Sequence, residues 1–245
     1  MKVNYPEIRN VYGIKIKTFE PECRIKGYIL ALHGFCGDME SSVINQLAER
    51  MTSHGLAVAA FNFPGHGTSE ADEYFSLYNC RKDMSEVINY ANKKYGFESP
   101  DAVFATSFGG YVTLQNMNDI PAETKIILRA PAVNMQRSFG KFINNMAVFR
   151  KNGQQIMGFE RKLTVPYSFY TELENNYILE HDFQRSMLII HGDRDDIVLP
   201  EDMKIFCQNN PFATLEVIKG ADHRFKGNDY LKQIIDIAEK YIINV

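Results

Sequence analysis

The chain has 245 residues, of which 45% are hydrophobic and 23% are charged, as is usual for a soluble globular protein. Its formal net charge of −3 gives no basic footprint, so nucleic acid is not expected as a partner. The sequence has no continuous apolar stretch of about 18 residues, and no membrane span is predicted.

Short apolar strands alternate with helical segments along most of the chain. Strands are predicted over 11–19, 27–35, 101–107, 125–131, 186–192 and 214–220, and over 56–67, where the strand runs into a Gly-rich turn. Helices are predicted over 41–55, 80–96, 109–117, 200–210 and 228–243. Nearly all-apolar strands that are separated by helices indicate an α/β fold, with a mostly parallel sheet covered by helices on both faces. In such a sheet, functional residues collect at the carboxyl ends of the strands.

Residues 132–185 interrupt this alternation and are rich in aromatic side chains. A loop of this length without a role would be unusual. We therefore predict an inserted cap of short helices, with a hairpin around residues 153–162, between two parts of an α/β core at 1–131 and 186–245. The alternative is a peripheral subdomain that only enlarges the core.

A serine in the stretch VFATSFGGYV (103–112) has the features of a nucleophile. Ser107 falls between a predicted strand and a predicted helix, as in the esterase pattern G-x-S-x-G. The residues two before and two after such a serine must be small, and Ala105 and Gly109 are small. Ala105 in place of glycine is a departure that is tolerated if this position does not need a positive φ. The alternative is a serine that merely caps a helix.

Two later loops supply partners for this serine. LIIHGDRDDIV (188–198) contains Asp195, and VIKGADHRF (217–225) contains His223. The chain order Ser107, Asp195, His223 is the order expected for a triad on this architecture. His223 would take the proton of Ser107, and Asp195 would orient the imidazole. Asp193 and Asp196 are alternatives to Asp195.

Acyl transfer also needs backbone amides that stabilise an oxyanion. The amide of Phe108 follows the serine at the start of a helix, where amides lack partners and the dipole favours negative charge. A second amide, that of Phe35, is expected from the loop LHGFCGD (32–38). A plain His-Gly loop is the alternative there.

The cysteines do not indicate a metal site or a disulfide framework. Cys23, Cys36, Cys80 and Cys207 are scattered without a C-x-x-C pair, which fits reduced thiols in a cytoplasmic protein. The N-terminal MKVNYPEIRN lacks the apolar core of a signal peptide, which agrees with that location. A nucleophilic Cys36 beside His33 is disfavoured, because no elbow-like turn surrounds it. No histidine pair has zinc-like spacing with a third ligand, so a metal is not expected.

Taken in order, LHGF, FPGHGTSE, ATSFGG, HGDRDDIV and GADHRF resemble the α/β-hydrolase superfamily across nearly the whole chain. The sequence is most similar to small bacterial carboxylesterases with a cap, including cinnamoyl (feruloyl) esterases, and to monoacylglycerol-lipase-like and serine-aminopeptidase-like hydrolases. The resemblance implies a mostly parallel sheet, no cofactor, and ester hydrolysis through an acyl-enzyme. Ala105 and Asn62 depart from the family pattern. A serine nucleophile disfavours haloalkane dehalogenase and epoxide hydrolase chemistry, which uses aspartate.

The sequence therefore predicts a serine hydrolase that cleaves a small-molecule carboxylic ester with an apolar or aromatic acyl or alcohol part. Tyr167, Phe169 and Tyr170 are candidate substrate-binding residues, with ordinary core packing as the alternative. Thioesterase, monoacylglycerol lipase and aminopeptidase activities on the same triad stay open. So does a non-catalytic ligand-binding protein of this fold. The sequence also leaves open a homodimer and movement of the cap.

Overall fold

The computed structural model describes residues 1–158, 162–227 and 229–243. Its strands are β1 (Lys2–Asn4), β2 (Glu7–Ile8), β3 (Ile14–Glu20), β4 (Gly27–Leu32), β5 (Leu56–Phe61), β6 (Ala102–Thr106), β7 (Lys125–Arg129), β8 (Gln154–Met157), β9 (Leu163–Pro166), β10 (Met187–Gly192) and β11 (Ala213–Ile218). Its helices are α1 (Ser42–Ser53), α2 (Leu77–Tyr95), α3 (Phe108–Gln115), α4 (Met135–Gly140), α5 (Met146–Asn152), α6 (Tyr167–Asn175), α7 (Pro200–Asn209) and α8 (Tyr230–Ile243).

A nine-stranded sheet forms the centre, in the order β1-β3-β5-β4-β6-β7-β10-β11 with β2 paired to β3. The strands from β5 to β11 in this order run parallel to one another. Strands β1, β2 and β5 are antiparallel to β3. The predicted α/β fold with a mostly parallel sheet is confirmed, and the carboxyl ends of the parallel strands share one edge.

The central strands are apolar because both of their faces are covered. In β4, Leu30 and Leu32 belong to one hydrophobic cluster with α2 and α3, whereas Ile29 and Ala31 belong to another with α1 and α8. Successive side chains of a strand point to opposite faces, so an all-apolar hexamer requires a helical layer on each side. Complete burial of a Leu or Ile side chain contributes about 1.5–3 kcal/mol.

Local signals set the ends of several helices. The Ser76 hydroxyl accepts a hydrogen bond from the Asn79 amide (3.1 Å) at the start of α2, and Gly96 ends that helix with a φ of 76°. Pro200 is the first residue of α7, where a missing N–H costs nothing. Ser41 precedes α1 but makes no capping hydrogen bond through its side chain.

Strands β1 and β2 were not expected from the sequence. The predicted strand over 11–19 is observed as β3, and the polar segments before it fold back to pair with it. These segments span three and two residues, too short to carry a readable alternation. Their regular structure comes from pairing with β3, which a local pattern does not reveal.

Between β7 and β10 the chain forms α4, α5, the two-stranded β8–β9 sheet and α6, and no described residue of this segment joins the central sheet. Strands β8 and β9 pair antiparallel, from Gln154 opposite Pro166 to Met157 opposite Leu163, so a hairpin occurs where it was predicted. Its residues 159–161 lie outside the described ranges. In those ranges, no helix has both the length and the apolar character required to cross a bilayer.

Candidate active site

Ser107 occupies a sharp turn between β6 and α3. Its φ of 50° and ψ of −110° lie outside the regions that L-residues ordinarily adopt. The surroundings fix this conformation, because the Ser107 amide donates to the Arg129 carbonyl (2.9 Å) and its carbonyl accepts from Tyr111 and Ala132 (3.1 Å each). Such strain costs about 1–3 kcal/mol and is concentrated at functional sites.

Gly109 and Gly110, just after the turn, lie where there is no room for a side chain. A Cβ on Gly109 would lie 2.6 Å from the His33 carbonyl oxygen, and one on Gly110 would lie 2.9 Å from the Pro131 Cβ. Ala105 lies inside β6 and is not among the residues with positive φ. The departure from the glycine of the esterase pattern therefore causes no strain at this position.

His223 links Ser107 to an aspartate. Its Nε2 is 3.0 Å from the Ser107 Oγ, and its Nδ1 is 2.7 Å from Asp195 Oδ2. A carboxylate can only accept, so Nδ1 carries the proton and Nε2 is left to accept from the serine hydroxyl. Side chains separated by 116 and 28 residues in sequence thus form one continuous line of hydrogen bonds.

The carboxylate of Asp195 is buried, with 3% of the residue exposed. Its Oδ1 accepts from the amides of Ile197 (2.9 Å) and Val198 (2.8 Å). These two bonds fix the carboxylate independently of its contact with His223. Asp193 accepts instead from the Gly220 amide, and Asp196 is exposed. Among the three acidic residues of this loop, the structure brings Asp195 into contact with His223.

The segments that carry the two predicted oxyanion amides also converge on Ser107. A Cβ on Gly34 would lie 3.3 Å from the Ser107 Cβ, so the loop that contains Phe35 passes directly beside the serine. Within the described ranges, no hydrogen bond involves the Phe35 amide. Phe108 begins α3, and an amide at that position has no partner within the helix.

Two other histidines near the site, His33 and His191, have structural partners. His33 accepts from the Phe63 amide (3.3 Å) through Nε2, and its Nδ1 lies 2.8 Å from the Gly34 carbonyl oxygen. Complete burial lowers the pKa of His33 to about 4, so it is neutral at neutral pH and has no nitrogen directed at Cys36. His191 Nε2 lies 3.1 Å from the Val198 carbonyl oxygen, and burial lowers its pKa as well.

The first helix between β7 and β10, α4, contacts the loop that holds Asp195. The hydroxyl of Ser138 donates to the Ile197 carbonyl (3.2 Å), and the Lys141 ammonium donates to the same oxygen (3.1 Å). Arg137 forms an ion pair with Asp202 (3.1 Å) at the start of α7. Helix α4 and the lysine that follows it therefore stabilise the loop that carries Asp195.

The predicted substrate-binding aromatics are placed differently from one another. Phe169 is completely buried, with its ring centroid 4.5 Å from Phe75 and 5.9 Å from Phe108. Tyr167 and Tyr170 are half-buried on α6, with ring centroids 5.9 Å apart. Phe169 thus lies in the core against Phe108, the residue that follows Ser107, and the two tyrosines keep accessible surface.

Sequence reasoning missed a group of rings around Phe35. The Phe35 ring contacts Phe108 (6.2 Å between centroids) as well as Phe139 (5.6 Å) and Phe142 (6.0 Å), which lie between β7 and β10. The available signal was the phenylalanine content of 132–185, but nothing in the pattern indicated which of these rings reach the HGF loop. No group of three or more potential metal ligands occurs among the residues described.

Comparisons with known proteins identify a family and a fold for this chain. Residues 24–158, more than half of the chain, match the family model described as serine aminopeptidase, S33. A comparison with curated protein sequences gives no match. Among solved structures, the chain is similar to alpha/beta hydrolase domain-containing protein 10 from mouse, with 18% identity and a TM-score of 0.79 over 100% of this chain and 99% of that chain.

Two bacterial structures share the fold. Est1E from Butyrivibrio proteoclasticus with ferulic acid bound has 19% identity and a TM-score of 0.75, over 94% of this chain and 95% of that chain. XC6422 from Xanthomonas campestris, described as an a/b serine hydrolase without lid, has 17% identity and a TM-score of 0.69, over 99% and 94%. By its family match and its fold, the chain belongs to the serine aminopeptidase, S33 family of α/β hydrolases.

Proposed function

We propose that the protein is a serine hydrolase that cleaves carboxylic esters with an apolar or aromatic acyl or alcohol part. Ser107 is the nucleophile, His223 the general base and acid, and Asp195 the orienting carboxylate. The observation that carries the proposal is the line of hydrogen bonds from Ser107 Oγ through His223 to Asp195, with steps of 3.0 and 2.7 Å.

Acylation begins when the Ser107 Oγ attacks the ester carbonyl while His223 Nε2 takes the hydroxyl proton. The tetrahedral intermediate collapses, the C–O bond to the alcohol breaks, and the imidazolium returns its proton to the leaving alkoxide. The acyl group then remains on Ser107. Water then attacks the acyl carbonyl while the same imidazole takes one of its protons. The bond between the acyl carbon and Ser107 Oγ breaks, the imidazolium returns the proton to this Oγ, and the carboxylic acid leaves.

Asp195 stabilises the imidazolium that forms in each half-reaction. Its carboxylate is already held by the Ile197 and Val198 amides, so it does not need to reorganise when the charge on His223 appears. The amides of Phe35 and Phe108 would donate to the oxyanion, and each such donor contributes about 10²–10³-fold in rate.

For the acyl or alcohol part, we propose an apolar or aromatic group bound between the core and residues 132–185, which act as a cap. Support comes from the contacts of Phe139 and Phe142 with the Phe35 ring, since this ring belongs to the loop beside Ser107. The fold shared with Est1E, which was solved with ferulic acid bound, points to the same class of ester.

The test is covalent labelling by a fluorophosphonate, combined with turnover of p-nitrophenyl acetate and butyrate. Wild-type protein should be labelled at Ser107 and should hydrolyse both esters, and Ser107→Ala or His223→Ala should lose most of the activity while staying folded.

Asp195→Asn should lose about 10³–10⁴-fold in kcat, because the imidazole is no longer held in the correct tautomer. Asp193→Asn is the matched control and should stay near wild type. Folded wild-type protein without label or turnover would contradict the proposal and favour a non-catalytic ligand-binding protein.

The class of substrate needs a separate comparison. A panel of hydroxycinnamate esters, monoacylglycerols, thioesters and aminoacyl amides distinguishes the esterase from lipase, thioesterase and aminopeptidase activities on the same residues. The aminopeptidase alternative has its own support, because the matching family model is described as serine aminopeptidase, S33. We expect the highest kcat/KM for the aromatic or short apolar esters. A higher value for aminoacyl amides would assign the protein to peptidase chemistry instead.

A further inference from the structure

A buried cation lies directly beneath the candidate site. Strand β7 reads KIILR, and its last residue, Arg129, is only 9% exposed. The Nε of Arg129 is buried and has no hydrogen-bond partner among the described residues. Burial of a guanidinium costs several kcal/mol unless other groups compensate for the lost hydration, so its surroundings need an explanation.

The groups that compensate for this charge belong to the two loops of the site. The Arg129 Nη2 donates to the Arg224 carbonyl (3.0 Å), and the guanidinium lies 4.5 Å from the centre of the Phe225 ring. Burial lowers the pKa of Arg129 to about 10, while the charges of Asp195 and Asp222 oppose this shift. Arg129 is therefore still a cation at neutral pH, and it contacts the segment that immediately follows His223.

The backbone of the same residue contacts the nucleophile. The Arg129 carbonyl accepts from the Ser107 amide (2.9 Å), and Arg129 is the partner of Thr106 in the β6–β7 register. One residue thus binds the Ser107 turn through its main chain and the His223 loop through its side chain.

We propose that Arg129 is a positioning residue that sets the separation between the Ser107 Oγ and the His223 Nε2. The role rests on the proposed hydrolase function. It requires no contact with substrate: the guanidinium fixes the Arg224 carbonyl and the Phe225 ring, and these hold the imidazole over the serine. A misplacement of about 1 Å between reacting groups can cost about 100-fold in rate.

A positioning role differs from a purely structural one in its effect on stability. An apolar side chain of similar volume at position 129 removes the cost of burying the charge, and this gain offsets the loss of the single hydrogen bond to the Arg224 carbonyl. R129M should therefore keep the melting temperature of wild type while kcat falls. A residue that only supports the fold would lose stability and leave the kcat of the folded fraction unchanged.

The experiment measures kcat and KM for p-nitrophenyl butyrate, the rate of fluorophosphonate labelling and the melting temperature in R129M and R129K. We expect R129M to lose about 10- to 100-fold in kcat and labelling rate, with KM within about threefold of wild type. R129K keeps the positive charge and an N–H donor for the Arg224 carbonyl, but it lacks the planar guanidinium that lies over Phe225. Its kcat should therefore fall between those of wild type and R129M.

The matched control is R185M. Arg185 is partly buried and donates to the carbonyls of Ile120 (2.7 Å) and Thr124 (3.1 Å), but it precedes β10 at the edge of the sheet opposite to the site. R185M should lower the melting temperature and leave kcat unchanged.

An active wild type with R129M within about twofold of its kcat would overturn the positioning role alone. R129K as slow as R129M would also overturn it. Wild-type protein that neither labels nor turns over would overturn the proposed function and this role together. If R129M does not fold, the neutral R129Q takes its place, with a loss of about tenfold expected and an unchanged kcat contradicting the role.

Discussion

At the scale of single residues, the backbone conformation of Ser107 lowers the stability of the fold but places the hydroxyl for reaction. A φ of 50° with a ψ of −110° is strained for serine and alanine but accessible to glycine, which has no Cβ. The fold therefore holds a conformation at this position that serine does not prefer, so that its hydroxyl projects from the turn toward His223.

Replacement of Ser107 tests this strain. Ser107→Ala and Ser107→Gly both lack the hydroxyl, so neither should be active. Ser107→Gly should nevertheless be more stable than Ser107→Ala by about 1 kcal/mol, because glycine relieves the strain. The free energies of unfolding in urea provide the comparison. Equal stability of the two variants would mean that the turn stores no strain.

Several residues of the site could be predicted from sequence because each has a local signature. Ser107 has small neighbours at a strand end, and His223 and Asp195 follow apolar strands in the expected chain order. Arg129 could not be assigned in this way, since a single arginine after an apolar strand does not reveal what it binds. Its partners, Ser107 and Arg224, come from segments that become neighbours only in the folded sheet.

At the scale of elements, the strands and helices of the core were predictable where burial or capping leaves a pattern. The hexapeptides of β4 and β5 are entirely buried, and α2 ends at Gly96 as predicted, although it begins at Leu77 and not at residue 80. The pairings of β1 and β2 with β3 were not predictable, because short polar segments acquire regular structure from their partner. How residues 132–185 pack on the core was likewise hidden, since it depends on contacts such as Ser138 with Ile197.

Two serines that precede helices provide a matched test of capping. Ser76 accepts a hydrogen bond from the Asn79 amide, whereas Ser41 makes no such bond before α1 and its buried Oγ has no partner among the described residues. Ser76→Ala should lower the free energy of unfolding by about 1 kcal/mol, and Ser41→Ala should change it by less than about 0.5 kcal/mol. Urea unfolding measures both values. Equal losses would argue against the cap assigned to Ser76.

At the scale of the whole molecule, one buried acid makes stability depend on pH. Asp83 of α2 has no exposed surface, and it accepts from the Tyr12 hydroxyl. Burial raises the pKa of Asp83 to about 7. The folded protein therefore keeps this proton in a range where the unfolded chain, with an aspartate pKa near 3.9, has released it. Stability from this group is complete below about pH 4 and is lost as the pH rises to about 7.

Asp83→Asn removes the titration and keeps a group that can accept from Tyr12. Relative to wild type, the variant should gain about 2–3 kcal/mol of stability between pH 5 and pH 8. Urea unfolding at the two pH values measures the gain, and Asp119→Asn, at an exposed position, is the control that should follow wild type. A constant difference between Asp83→Asn and wild type would show that the folded protein does not keep this proton.

The attachment of α4 has a consequence for redesign. The Ile197 carbonyl accepts from Ser138 and Lys141, and the Ile197 amide donates to the Asp195 carboxylate. Ile197 therefore connects α4 to the acidic residue of the candidate triad. If only residues 142–166 were shortened or exchanged, the contacts of Ser138 and Lys141 with Ile197 would be kept. The position of the Asp195 carboxylate should then be unchanged. If the replaced segment started before Asn134, Ser138 and Lys141 would be removed and the Ile197 carbonyl would lose both donors. Activity should then fall even if the new segment accommodated the substrate.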